Sequence, residues 1–304
     1  MDDSAYEDGF GRVERRLRRL TRALRWRLRG VTRRPRAILV EVRWRLGDEI
    51  MALPVYEALK EAYPASQLAV LCNYPEVLDD NPHVDAVNPL AFDPDRYILL
   101  RGTRRNVQRL QHYANRAGIA KPATRPRLHL SDWSTSLLKD AAGQDRPLVA
   151  VSTGATWATK RWPVERWEAV CRGLKTRGYG VVQLGRGDPE VGVGLSLMDR
   201  TSVREAACVL RQCRLLVCGD SGLMHLALAV GVPAVALFGP TDPDILVEND
   251  ANLTVVGNGR ECFGCWNRSE SAQREGVCPL GIPDCLGTIS AATVLACVCK
   301  CLEE

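Results

Sequence analysis

Apolar residues fall along this chain in two alternating kinds of run. Short, mainly apolar blocks at 37–42, 67–71, 97–100, 148–152, 180–184, 215–218 and 234–238 read as strands buried on both faces. Between them, apolar positions at three- and four-residue steps over 49–62, 104–117, 164–176 and 223–230 read as helices. Ser202 and Glu205 form a capping box that opens a further helix ending near Cys213. Strands and helices that alternate through short connections predict an α/β fold with parallel sheets. The polar stretch 140–146, AAGQDR with its flanks, divides the series into a short first domain, 37–140, and a second, 147–304. No internal repeat is present.

The stretch LLVCGDSGLMHLALAVGVPAVALFGPTDP, residues 215–243, is the richest in chemistry. A buried strand passes through the small-residue turn 219–222 into an apolar helix that Gly231 ends, and a second strand follows at once. The amides of Ser221, Gly222 and Leu223, at the positive end of that helix, can hold phosphate oxygens without a side-chain cation. A purely structural turn is the alternative.

This stretch resembles the C-terminal signature of glycosyltransferase family 9, the ADP-heptose-dependent heptosyltransferases. ILVEVRWRLGDEIMALPVYEALKEAYPASQLAVL is similar to the family's opening strand, Gly-Asp turn and first helix, and VAVSTGATWATKRWPVERWEAV to the segment that brings a lysine to the donor phosphates. GPTDP and then CFGCWNR and VCPLGIPDCLGTIS resemble its closing loop and a cysteine-rich tail. The resemblance covers the chain from about Ala37 onward. It implies a GT-B architecture, two Rossmann-like βα domains facing across a cleft, with the sugar nucleotide on the second. The extra helices that contact the family's acceptor are not evident before Pro147.

Composition refines this picture in two places. Apolar and charged fractions of 46% and 25% are those of a globular chain, and no run approaches the length of a membrane span. With no signal-peptide pattern at the start, the expected location is the cytoplasm, in reach of the inner membrane face. The net charge of +5 is concentrated in residues 1–36, which hold 12 of the chain's 41 basic residues and 5 of its 36 acidic ones. In this arm Phe10, Val13, Leu17, Leu20, Leu24, Leu28 and Val31 form one helical stripe among arginines. Such a helix suits an anionic membrane surface, or packing on its own body or an identical subunit; nucleic acid is the least favoured partner, since no nucleic-acid motif accompanies it.

Twelve cysteines in a chain of this kind argue against a disulfide framework. Cys262 and Cys265 form a CxxC knuckle, and Cys278 and Cys285 can complete a tetrahedral sulfur site that suits zinc or iron. Four free thiols are the alternative. The arrangement most resembles the autotransporter heptosyltransferase branch of the family, where such a finger is associated with iron. In this finger, 262–285, Cys265→Ser is expected to lose the metal and loosen the C-terminal region, leaving the Lys160 and Ser221 phosphate site largely intact.

For the transfer itself, Asp48 follows Gly47 at the mouth of the first strand, the place of the family's proposed general base. Capping of the following helix is its structural alternative, and Glu49 is the lesser candidate base. Lys160, Thr153, the Gly154 backbone and the 221–223 amides would stabilise charge on a departing diphosphate. The resemblance implies that Asp220 accepts hydrogen bonds from donor-sugar hydroxyls and that Glu190, or Asp188 as runner-up, holds the ribose. His225 reads as a packing histidine rather than a catalyst. Trp157, Trp162 and Trp167 can stack on a base, with core packing the better use for the last two. No metal is implied for transfer. The leading function is inverting transfer of heptose from ADP-heptose, or of another nucleotide sugar, to a lipopolysaccharide-core, glycan, lipid-linked or protein acceptor; a degenerate transferase-like binding protein is the alternative. A Rossmann oxidoreductase is disfavoured, because no G-x-G-x-x-G follows either first strand.

Overall fold

The computed structural model describes residues 35–101, 107–130, 137–138, 146–247, 250–268, 278, 280–281 and 285–303. The arm up to residue 34 and most of the expected linker therefore lie outside the described residues. The first half contains β1 (Ala37–Glu41), α1 (Leu46–Met51), α2 (Leu53–Ala62), β2 (Gln67–Leu71), β3 (Ala86–Val87), β4 (Arg96–Leu99) and α3 (Arg109–Ala117). Its strands form a parallel sheet in the order β3-β2-β1-β4.

The second half contains β5 (Leu148–Ser152), α4 (Val164–Thr176), β6 (Gly180–Gln183), β7 (Leu195–Ser196), α5 (Val203–Arg211), β8 (Cys213–Gly219), α6 (Gly222–Ala229), β9 (Ala234–Phe238), α7 (Pro243–Leu246), β10 (Leu253–Gly257), α8 (Cys265–Arg268) and α9 (Ala291–Glu303). These strands are also parallel, in the order β10-β9-β8-β5-β6-β7. The order reverses between β5 and β8, which opens a crevice at their C-terminal ends, and reverses again in the first sheet between β1 and β4. Two Rossmann-like sheets with these paired crevices make the GT-B architecture.

One correction concerns the first helix, expected as a single element over 49–62. It begins earlier, at Leu46, and breaks at Ala52 into α1 and α2. Pro54 is the cause: it lacks an N–H and its ring crowds the carbonyl four residues back, so it sits in the first turn of a new helix rather than inside an old one. The α5 capping box forms as the sequence indicates, with the Ser202 hydroxyl accepting from the Glu205 amide and the Glu205 carboxylate from the Ser202 amide.

Packing joins the two halves. A single apolar cluster includes Ile38, Val40, Val70 and Ile98 from the first sheet and Ala150, Val182, Leu216 and Phe238 from the second, all buried. The alternate residues Val149, Val151, Val217 and Leu237 face the other side of the second sheet, against Trp162, Trp167 and Val294 and Val298 of α9. Each such large side chain contributes about 1.5–3 kcal/mol on burial. Trp162 and Trp167 meet edge to face at 4.8 Å, inside this core.

A polar tie reinforces the junction. Arg204 of α5, 3% exposed, donates to the carbonyls of Glu76, Asp79 and His129 and to the Asp80 carboxylate at 2.8 Å. Asp80 takes a left-handed backbone, φ 60°, in the turn that presents these acceptors.

Candidate active site

The loop after β1 leads into α1, and α1 lies against α6 of the second half at unusually short range. A Cβ added to Gly47 would stand 2.7 Å from the His225 ring, and one added to Gly222 would stand 3.1 Å from Leu46. Glycine at both positions lets the two helices approach, and this approach carries Asp48 to the crevice between the sheets.

Asp48 does not cap a helix. The N-cap of α1 is Arg45, and no side-chain capping bond forms there. The Asp48 carboxylate points instead to α3, where Arg109 lies 2.9 Å away and the Tyr113 hydroxyl donates to it at 3.3 Å. Burial pushes its carboxyl above the ordinary aspartate range, although Arg109 and Tyr113 pull in the other direction. A carboxylate of raised pKa is the stronger base. Arg109 and Tyr113 were not singled out from the sequence, yet the i, i+4 spacing on one helix face was the available signal.

Glu49, the lesser candidate base, is engaged elsewhere. Its carboxylate accepts the backbone amides of Trp44, Asn73 and Tyr74, so it shapes the loops around β1 and β2. Burial still drives it up to about 7. His225 is buried against Gly47, and burial lowers its imidazole to about 4, so it is a neutral packing group at ordinary pH.

Across the crevice, the strand ends of β5 and β8 supply the remaining candidates. Lys160 and Asp220 form a salt bridge at 2.5 Å, and Thr241 donates to the same Asp220 oxygen at 2.6 Å. Burial alone would raise the Asp220 carboxyl; the Lys160 charge and these hydrogen bonds hold it low. The Lys160 ammonium stands 4.1 Å from the centre of the Trp157 ring. Ser221, at the N-cap of α6, has a buried hydroxyl with no hydrogen-bond partner among the described residues and makes no capping bond to the helix behind it. An orphaned hydroxyl beside the open first-turn amides of an eight-residue helix is the arrangement an oxyanion would satisfy.

The other candidates divide. Thr153 donates its hydroxyl hydrogen to the Pro189 carbonyl at 2.9 Å and accepts from Gln183, so its side chain braces the turn after β6. Gly154 is pressed by the Asp188 carboxylate, which a Cβ there would meet at 1.9 Å. Asp188 thus reaches the crevice more directly than exposed Glu190, whose carboxylate accepts the Ser196 hydroxyl.

A cavity of about 340 Å³ opens beside Arg109 and His225, bounded also by Lys121, Arg125 and Asp250 and floored by Met51, Leu228 and Leu246. Asp250 pairs with Arg125, and cations otherwise prevail on its walls.

In the cysteine segment, Cys262, Cys265, Cys278 and Cys285 are close enough to influence one another. Burial first, then the neighbouring sulfurs, raise Cys265 and push Cys285 up to about 11. Thiolates gathered in one segment are a donor set whose mutual repulsion a bound cation would offset. Among the described residues, no three cysteine, histidine or acidic side chains converge as ready metal ligands. The segment touches the surroundings of Lys160, where Trp266 packs against Trp157 at 5.1 Å, and Asn267 accepts the Asp242 amide.

Comparison with known proteins identifies the family. The model of glycosyltransferase family 9 (heptosyltransferase) matches residues 101–275. Lipopolysaccharide heptosyltransferase 2 of Salmonella typhimurium is 32% identical over 143 residues, 41% of this chain and 41% of that protein. The inactive autotransporter heptosyltransferase BimC of Burkholderia thailandensis is 32% identical over 161 residues, 49% of this chain and 35% of its own. Among solved structures, the iron-containing dodecameric glycosyltransferase TibC of enterotoxigenic Escherichia coli superposes with a TM-score of 0.74 at 18% identity, covering 89% of this chain and 77% of that one. The matched part spans less than half the length of these curated relatives. With more than half of the chain matched by the family model, and with the fold and crevice in agreement, the chain belongs to glycosyltransferase family 9.

Proposed function

We propose that this chain is an inverting glycosyltransferase that moves heptose from ADP-heptose to a hydroxyl of the lipopolysaccharide core, another glycan or a protein. The observation that carries the proposal is the buried Asp48 carboxylate, raised in pKa, facing an anion-ready strand end across the crevice. In this reading Asp48 takes the acceptor hydroxyl's proton as the oxygen bonds to the anomeric carbon, and ADP leaves from the opposite face with the electrons of the broken C–O bond. Lys160, the Ser221 hydroxyl and the amides of Ser221, Gly222 and Leu223 receive the charge developing on the diphosphate. Asp220, held by Lys160 and Thr241, meets sugar hydroxyls, and Asp188 with Glu190 meets the ribose. Thr153 and Gly154 contribute backbone.

The decisive experiment measures ADP release from ADP-heptose together with ADP affinity. Asp48→Asn is expected to leave ADP affinity unchanged and to lower turnover by on the order of a hundredfold or more. A variant with full turnover would remove Asp48 from the mechanism.

A binding protein without turnover is the second reading, to which the likeness to one relative described as inactive draws attention. It requires ADP binding with no ADP-heptose consumption by the native chain. In either reading Cys262, Cys265, Cys278 and Cys285 hold one iron or zinc, a structural crosslink that supplies no step of the transfer. TibC, the iron-containing structural neighbour, supports iron. The arm is assigned to an anionic membrane surface or to self-association, at the cytoplasmic side; among the described residues no helix is long and apolar enough to cross a membrane.

A further inference from the structure

Both members of the Lys160–Asp220 pair rest on the short helix α8, which begins at the second cysteine of the CxxC knuckle. On one side, the Trp266 ring meets the Trp157 ring edge to face, with centroids 5.1 Å apart and planes at 72°. The opposite service of Trp157 is to lie under the Lys160 ammonium at 4.1 Å, with the Arg45 guanidinium 5.7 Å away. On the other side, α8 is zipped to the loop that follows β9. Gly264 donates to the Gly239 carbonyl at 2.9 Å, Trp266 to the Pro240 carbonyl at 2.8 Å, and the buried Asn267 side chain accepts the Asp242 amide at 2.8 Å. Thr241, fixed between those contacts, makes the 2.6 Å bond to Asp220.

We propose that residues 264–267 of the cysteine segment position the donor-phosphate site, Trp266 setting Lys160 through Trp157 and Asn267 setting Asp220 through the 239–242 loop. The physical reason is that a lysine on a flexible stem gives a useful phosphate contact only when its ammonium is held in place. A ring face beneath it and a carboxylate beside it do this, and each of these is braced from α8. The edge of Trp266 is the only described aromatic contact to Trp157. This inference rests on the reading that Lys160 and Asp220 bind the donor diphosphate.

The test is a pair of double-mutant cycles on the full chain, reading ADP affinity by calorimetry. Trp266→Ala is expected to weaken ADP binding about tenfold, while Trp266→Phe, which keeps an aromatic edge, restores most of it. In a Lys160→Met background the further loss from Trp266→Ala should vanish, because the contact it supports is gone. Asn267→Ala should likewise lose its effect once Thr241→Val has cut the tie to Asp220, and this cycle serves if Trp266→Ala does not fold. Losses that add in full in both cycles would show a general structural role and overturn the proposal, as would unchanged ADP affinity in Trp266→Ala and Asn267→Ala. Unchanged affinity in Lys160→Met is a different failure: it removes the donor-site reading itself, and with it this inference.

Discussion

At the residue scale the central balance is at Asp48, where burial and a neighbouring guanidinium oppose each other. A general base works in its ionised form, so turnover should fall as pH drops through the raised Asp48 pKa and hold above it. Arg109 favours the ionised form. Arg109→Met should therefore move this acid limb to higher pH, while at high pH, where Asp48 is ionised in either protein, the two should differ less; a pH profile of kcat/KM checks it. A limb that stays in place would mean that the profile reports another group. Of this balance the sequence disclosed only the aspartate. Asp48 stood out because it follows a glycine at a strand mouth, whereas Arg109 offers only its i, i+4 spacing with Tyr113, and its role shows through a contact that closes over 61 positions of chain.

At the scale of elements, α1 and α6 owe their contact to two residues without side chains. Gly47→Ala forces a methyl group to within 2.7 Å of the ring of the buried His225. It should destabilise the fold by about 1–3 kcal/mol, with the smaller effect from Gly222→Ala, whose methyl meets the Leu46 side chain at 3.1 Å. Chemical denaturation measures both, and equal costs would contradict the packing account. The strands Gln67–Leu71, Leu148–Ser152 and Ala234–Phe238 were legible because each is built on a run of four or five apolar residues bounded by polar or turn residues. The two-residue strands β3 and β7 were not, since so short a pairing leaves no pattern and depends on the neighbouring strand to define it. The break at Ala52 had its signal in Pro54, outweighed by the apolar periodicity that runs through it.

At the scale of the molecule, the arm carries the charge that the remaining chain lacks. If it meets anionic lipid, vesicles rich in anionic headgroups should bring the protein down at low salt, release it as salt rises, and fail to bind a chain lacking residues 1–34. Binding that survives the deletion would refute the charge argument. A changed sedimentation size on deletion, with no lipid dependence in the intact chain, would favour an interface between copies. The overall architecture was legible through the order of its blocks and the motifs that resemble a known family. The joint between the halves was not, because Arg204 belongs by sequence to an ordinary capped helix. Its acceptors lie at Glu76, Asp79, Asp80 and His129. Those acceptors lie in the first half and their donor in the second, so neither half carries a finished surface where they meet. A chimera that grafts the first half of a relative onto this second half must import the turn around 76–80 and the segment at 129 together with Arg204, or leave a buried guanidinium facing carbonyls of the wrong shape. The seam, more than either half, is the unit of inheritance that an engineer of new acceptor specificity has to copy.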